Sequence, residues 1–459
     1  MFQGRRPIQY LCLIFVSNLM FLIACQPISP IETPQEPSLV HEAPIKNGPV
    51  TITDSTIHGT FGSTAYFRTL GTVEGSGASG PYIAPFEIIA PVDAIDTNGR
   101  VVLEPLHFIG GAIARNDYLT QDFLFGQGFS SAGICLQQSA PFVPEHPCAE
   151  FSGEAGMEAE IVAAFAKALR ENSALSAVVG QANTLYATGV AATVNPLHSL
   201  ILSDEGQSIF ELSLFVATGW PLPFGPPPAT LEDYMPPMNS GRVLALTTES
   251  DIFQYNGAGL RIDDLGHSTY RLYEIAGGPH IADTPGTRAR FVGPPQSPFP
   301  SIADTTPLDW SPVLRAMFVA GDQWVVDGIE PPASVYLERA AEDEIDSVYK
   351  KATGIARDEN LNALGGIRLP DLALGRGQFI AADAVLMPEP PHMMGGFVDL
   401  KCTPLADGSI RFPDHDEYIR QYAEFTEQLV SESFLLTEDA EAMIEAATES
   451  DIGIEGACQ

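Results

Sequence analysis

The residues whose types and spacing could do chemistry in this chain stand directly after apolar runs. Glu249 and Asp251 lie in T-E-S-D, following Val243–Thr247, and His280 lies in A-G-G-P-H, following Tyr270–Ile275. Short apolar runs closed by turn residues read as buried strands. Each group therefore sits at the C-terminal end of a strand. A carboxylate placed there can orient an imidazole, and the imidazole can take a proton from a nucleophile. Asp251 is the first candidate for that carboxylate and Glu249 the second. A lone loop histidine is more often a surface residue than a base, so the chain order carries more weight than His280 alone.

The nucleophile in such an order comes first. The stretch A-V-V-G-Q-A-N-T-L-Y-A-T-G at 177–189 reads as a short strand, a glycine and a helix of small residues. That is the pattern of a strained strand-to-helix turn, with Ala182 at its apex and free N–H groups beneath it for an oxyanion. Alanine cannot attack a carbonyl. Thr184, two residues on, would fall inside the first helical turn and point elsewhere. On its own the glycine is weak evidence, and an ordinary strand-to-helix turn is the competing reading.

Elements able to position these groups follow from the pattern. Further strands are expected at Val101–Leu103, Gly133–Leu136, Ala177–Val179 and Leu212–Val216, and helices at Met157–Glu171, 311–328, 416–429 and 438–447. Strands alternating with helices predict a mostly parallel sheet covered on both faces. Residues 51–95, rich in Thr, Gly and Phe, read as a leading antiparallel layer. The proline-rich stretches 221–238 and 279–308 read as long loops at the strand ends.

With 459 residues, 45% of them apolar and 18% charged, the chain can bury a large core. A formal charge of −35 repels phosphate backbones and excludes nucleic acid as a partner. Arg5 and Arg6 precede the apolar run Ile8–Ala24, the layout of a secretory signal. Its end, L-I-A-C at Leu22–Cys25, resembles a bacterial lipobox. That resemblance implies cleavage before Cys25, a lipid on its sulfur and a membrane-tethered domain outside the cytoplasm. Gln26 after the cysteine favours the outer membrane over the inner one, by resemblance to such lipoproteins. An uncleaved anchor helix is the competing reading, although the run is short to span a bilayer. The expected organisation is a signal peptide at 1–24, a proline-rich tether at 25–50 and one domain at 51–459, its segment 401–459 helical.

Cys135, Cys148, Cys402 and Cys458 allow three connectivities in an oxidising compartment. Pairs 135–148 and 402–458 are favoured, the first closing a short loop and the second tying down the tail; free buried thiols are the alternative. No histidine spacing suits zinc, so no metal or other cofactor is expected. The string G-S-G-A-S-G at Gly75–Gly80 leads into Pro81 rather than a helix and reads as a flexible loop. D-H-D-E at 414–417 reads as a solvated helix start.

Several strings are similar to the α/β-hydrolase-domain family: R-L-Y-E-I-A-G-G-P-H at 271–280, T-T-E-S-D at 247–251 and N-A-L-G-G-I-R-L-P at 362–370. V-V-L-E-P-L-H-F-I-G-G at 101–111 and F-L-L-T-E-D-A-E-A-M-I at 434–444 extend the resemblance over most of the chain. It implies an α/β-hydrolase fold with extra N-terminal strands, and a nucleophile, acid and base in that chain order. Family elbows typically have the form G-x-S-x-S. Carried over, His280 is the base, Asp251 the acid and Ala182 the substituted nucleophile position. A tryptophan and an asparagine usual near 105–107 are replaced by Pro105 and His107. Two functions are then implied: a degenerate member binding a small carbonyl or ester ligand in the old cleft, or an active ester hydrolase with another nucleophile. The string at 362–370 reads as structural, with glycines for a tight turn and an arginine to anchor a loop.

Overall fold

A nine-stranded sheet organises the molecule, in the order β1-β2-β3-β7-β4-β8-β9-β10-β11. The structure is a computed structural model that describes residues 46–109, 112–114, 117–137, 147–203, 209–217, 241–254, 261, 269–284, 305–341, 354–381 and 394–458. Three long antiparallel strands lead: β1 (Lys46–Phe61), β2 (Thr64–Gly77) and β3 (Gly80–Pro91). The Gly75–Gly80 string is therefore the β2–β3 hairpin end, with Gly80 at φ 135°, rather than a free loop. Then come β4 (Arg100–Pro105), a small hairpin of β5 (His107–Ile109) and β6 (Ala112–Ala114), helix α1 (Asp117–Gly126) and β7 (Ser130–Ile134). From β7 onward the neighbours are parallel: β8 (Thr184–Val190), β9 (Leu212–Val216), β10 (Arg242–Thr248) and β11 (Tyr270–Ile275).

Parallel strands must be buried on both faces, and alternate side chains show it. Tyr186, Leu214, Leu244 and Tyr273 enter one core, while Leu185, Phe215, Val243 and Leu272 enter the other. The second core is closed by α2 (Glu158–Glu171), α3 (Ser173–Val179) and α4 (Val194–Leu202). The first is closed by α1 and, beyond the short α5 (Glu249–Gln254), by α6 (Ser311–Val326).

The expected strand at Ala177–Val179 is the end of α3 instead. Asn172 explains this: its carboxamide oxygen accepts the Ala174 and Leu175 N–H groups, an N-cap that starts a helix. Leu175 and Val179, one helical turn apart, bury their side chains, and Gly180 at φ 72° ends the turn. The strand is the next run, T-L-Y-A-T-G-V.

The open edge of β11 is covered by later chain. Val335 and Ile367 form parallel bridges to Tyr273 and Ile275. A short helix, α7 (Pro370–Ala373), and the hairpin of β12 (Gly377–Ile380) and β13 (Gly396–Asp399) follow. The chain ends in two helices, α8 (His415–Ser431) and α9 (Thr437–Thr448). Asp414 caps α8 by accepting the Glu417 N–H. Disulfides join Cys135 to Cys148 and Cys402 to Cys458, with Cα separations of 5.4 and 5.3 Å. The signal, Cys25 and most of the tether lie outside the described residues, as do 221–238 and most of 279–308. Among the described residues no helix is long and apolar enough to cross a membrane.

Candidate active site

Strand register decides which turns share an edge. Val190 pairs with Val216, Val216 with Leu246, and β10 continues to Thr248 beside Ile275 of β11. The chain therefore leaves β8, β10 and β11 at one edge, immediately before Ala191, Glu249 and Ala276. Ala182 lies at the other end of β8, in the turn between α3 and the strand, with its methyl against the second core. It stands in a helix-to-strand turn, not at the strand-to-helix apex expected from the sequence. Thr184, the first residue of β8, is equally remote from the site edge.

The strand-to-helix turn is one element later, at G-V-A-A-T, Gly189–Thr193. Strand β8 ends at Val190, a single 3-10 turn covers Ala191–Thr193, and α4 begins at Val194. Ala191 is at φ 51°, a conformation that non-glycine residues adopt only when their surroundings impose it. Two features impose it. The Thr193 hydroxyl accepts the Val190 N–H at 2.9 Å and donates to the Val190 carbonyl at 2.9 Å. Gly189 lets the helix close on the strand: a Cβ there would lie 3.0 Å from Thr193 O and Val194 N, and 3.1 Å from Leu197 Cδ1. The helical turn opens at Ala191, and the Val194 N–H that starts α4 already donates to Ala191 O and Ala192 O, so the amides with no helical acceptor one turn earlier are those of Ala191–Thr193, at this edge. The signal was present in the sequence. G-V-A-A-T matches the spacing G-x-S-x-S, with alanine at the first serine and threonine at the second.

Asp251 and His280 meet. The His280 Nδ1–H donates to Asp251 Oδ1 at 2.6 Å, and both side chains are buried. A carboxylate can only accept, which fixes the proton of this bond on Nδ1. The second Asp251 oxygen accepts the Thr248 N–H at 3.0 Å and the Thr248 hydroxyl at 2.7 Å. Three donors thus hold the carboxylate in one orientation, and the carboxylate holds the ring.

Glu249 does not reach this pair. Its Oε1 meets the Arg357 guanidinium at 2.5 Å and its Oε2 accepts the Gly277 N–H at 2.7 Å, with both ionic side chains essentially inaccessible. It braces the turn that leads to His280. The loop is held further along: Ser250 N–H donates to Gly278 O, and the Trp310 indole N–H to Pro279 O at 3.0 Å. Sequence reasoning missed Arg357, because its partner is more than a hundred residues away.

The segment replaced at Pro105 and His107 ends β4 and enters the small hairpin at this edge; the side chains of 107–114 lie outside the described residues. Among the described residues no three His, Cys, Asp or Glu side chains cluster to hold a metal. A groove of about 970 Å³ runs between α1 and α6, walled by Phe123, Phe129 and Phe318. It reaches Thr284 beyond the histidine loop, and Ala191, Asp251 and His280 do not line it. Burial pushes the Asp309 carboxyl at its side above the usual range, against the opposing hydrogen bonds from Ser311.

A family model described as "Alpha/beta hydrolase domain" matches residues 64–445. The chain belongs to that family. The fold described here, a mostly parallel sheet with helices on both faces, is that of an α/β-hydrolase domain. Solved structures give distant likenesses. An esterase from Rhizomucor miehei is 15% identical, over 50% of this chain and 75% of that one, with a TM-score of 0.32. A lidless α/β serine hydrolase from Xanthomonas campestris is 12% identical, over 45% and 83%, at 0.28. A rice cell wall degrading esterase from Xanthomonas oryzae is 13% identical, over 36% and 50%, at 0.28. No curated protein sequence matches the chain.

Proposed function

We propose that this α/β-hydrolase is a catalytically degenerate relative of carboxylic-ester hydrolases, one that binds a small carbonyl or ester ligand without forming an acyl-enzyme. The observation that carries this is Ala191 at the apex of the β8 turn, at φ 51°, on the edge where Asp251 orients His280. A methyl has no lone pair to attack a carbonyl. The amides of the turn Ala191–Thr193, which opens the helical segment, still favour a carbonyl or anionic oxygen, so binding can outlast hydrolysis. Thr193 is no substitute, since its hydroxyl is engaged on both sides by Val190.

The experiment is labelling with a serine-directed fluorophosphonate, followed by mass mapping. The natural protein should stay unlabelled and show no burst with activated short-chain esters, whereas Ala191→Ser should take the label at residue 191. An adduct on the natural protein would overturn the reading and make it a live esterase. Ser250 is the hydroxyl to inspect first, since its Oγ is buried beside Asp251 with no hydrogen-bond partner among the described residues. An unlabelled, folded Ala191→Ser protein would remove Ala191 from the nucleophile position.

The address belongs to the same proposal. The lipobox-like L-I-A-C makes this an exported bacterial lipoprotein anchored through Cys25, in the outer rather than the inner membrane. Cys25→Ala should then abolish the lipid-derived mass increment and release the protein from the membrane fraction. Unchanged mass and fractionation would sink the anchor.

A further inference from the structure

The string N-A-L-G-G-I-R-L-P has no part in acid, base or elbow, yet it is connected to His280 through buried groups. Asn362 is fully buried; its side-chain amide donates to Gly377 O at 2.9 Å and its oxygen accepts the Phe379 N–H at 2.8 Å. Asp358 Oδ1 accepts the Asn360 and Asn362 N–H groups, and its Oδ2 takes the Arg368 guanidinium at 2.6 Å. Gly365 and Gly366, at φ 71° and 65°, stand where a Cβ would collide with Glu338 N and Leu337. They let Ile367 reach the edge of β11, where its N–H donates to Glu274 O and its carbonyl accepts the Ala276 N–H. This frame fixes residue 357, whose backbone bridges to Ala363.

From Arg357 the connection runs to the histidine turn by two routes. One is ionic: Arg357 to Glu249 Oε1, then Glu249 Oε2 to the Gly277 N–H. The other is steric. Gly277 is at φ 67°, and a Cβ there would lie 2.3 Å from Leu372 Cδ1 and 3.0 Å from Phe379 Cβ, residues held by the same frame. His280 follows three residues later. A buried ion pair adds little net stability over a well-packed apolar pair. What the buried cation does supply is a fixed anchor: Nη1 holds Glu249 Oε1, which leaves Oε2 turned to the Gly277 N–H.

We propose that Arg357 is a positioning residue for His280, acting through Glu249 and the Gly277 turn, with the 362–370 string as the frame that places it. The proposal rests on the reading of Asp251 and His280 as acid and base, but not on the identity of the nucleophile.

The test uses the full chain labelled with 15N-histidine. The Nδ1–H of His280, in a hydrogen bond of 2.6 Å, should give a far-downfield proton signal that disappears in His280→Gln. Replacing the pair together, E249Q/R357M, leaves no stranded buried charge and keeps an acceptor for Gly277, so the fold should persist. Its His280 signal should nevertheless shift upfield or broaden, while R357K, which retains the charge, should keep it near its natural place. In the Ala191→Ser background the phosphonate reaction of E249Q/R357M should slow about tenfold or more, with R357K between the two. A cooperatively folded E249Q/R357M protein with an unchanged His280 signal would overturn the proposal. Should Ala191→Ser not label at all, the spectroscopic comparison on the natural background still decides this question separately.

Discussion

The turn after β8 and the turns after β10 and β11 stand side by side on one sheet edge and keep opposite things. After β8 the backbone is complete: a glycine that lets the helix approach, a residue at φ 51° and a threonine that locks the corner. Its apex side chain is a methyl. After β10 and β11 the side chains are complete, with three donors on Asp251 and the ring of His280 held by its carboxylate. The difference separates two properties that usually travel together. Backbone geometry at the turn after β8 is enforced by packing that any small apex residue satisfies, whereas Asp251 and His280 depend on specific polar partners.

If that separation is real, the two turns should respond to mutation very differently. The largest effect is expected at Asp251. Asp251→Ala strands the Thr248 N–H, the Thr248 hydroxyl and the His280 Nδ1–H in a buried site, each unsatisfied donor costing about 1–3 kcal/mol. A loss of about 3 kcal/mol or more in urea unfolding is the expected outcome. Ala191→Ser, in contrast, should change stability by less than about 0.5 kcal/mol, as a half-exposed residue with no buried partner to lose. A cheap Asp251→Ala or a costly Ala191→Ser would erase the contrast.

An intermediate effect is expected two residues before the apex. A side chain at Gly189 must push Thr193 O, Val194 N and Leu197 away by a few tenths of an ångström. Gly189→Val should destabilise by about 1–3 kcal/mol, the range for overpacking a tight contact. In Ala191→Ser it should also abolish labelling, by tilting α4 from the strand. Retained labelling with native stability would mean that the close approach does not define the elbow.

How much of this was legible depends on how local each cause is. Leu212–Val216 and Tyr270–Ile275 are strands to the residue, because short apolar runs bounded by turn signals have one outcome inside a parallel sheet. Tyr270–Ile275 places His280, and Val243–Thr247, one residue longer at each end in the structure, places Asp251. The elbow was misplaced because S-A-L-S-A-V-V satisfies a strand pattern and T-L-Y-A-T-G-V a small-residue helix pattern. What separates them is Asn172, whose cap turns the first into a helix. Weighting that single asparagine would have moved the apex from Ala182 to Ala191 and left the chemical conclusion unchanged. Glu249 reads as a second candidate acid from its own neighbourhood alone; Arg357, which claims it, is brought there by the fold. Of the three pairings open to the cysteines, the favoured one, 135–148 closing a short loop and 402–458 tying down the tail, is the one the structure has.

A smaller loss than at Asp251 or Gly189 is expected at Thr193, and it tests whether the elbow is held by its own residues or by the helix packed behind it. The hydroxyl makes two bonds to Val190, one accepted and one donated, across three residues. Thr193→Val keeps the shape and removes both. A net loss of about 1 kcal/mol is expected, the usual contribution of such bonds when the stranded groups lie near solvent. Thr193→Ser keeps the hydroxyl and should cost less. Stability alone would not show whether Ala191 has left φ 51°, so the informative measurement is in the Ala191→Ser background. If Thr193 sets the corner, Ala191→Ser/Thr193→Val should label more slowly than Ala191→Ser, and Ala191→Ser/Thr193→Ser at nearly the same rate. Equal rates in all three would assign the corner to Gly189 and α4, and the comparison between the two sets of turns would then rest on packing alone.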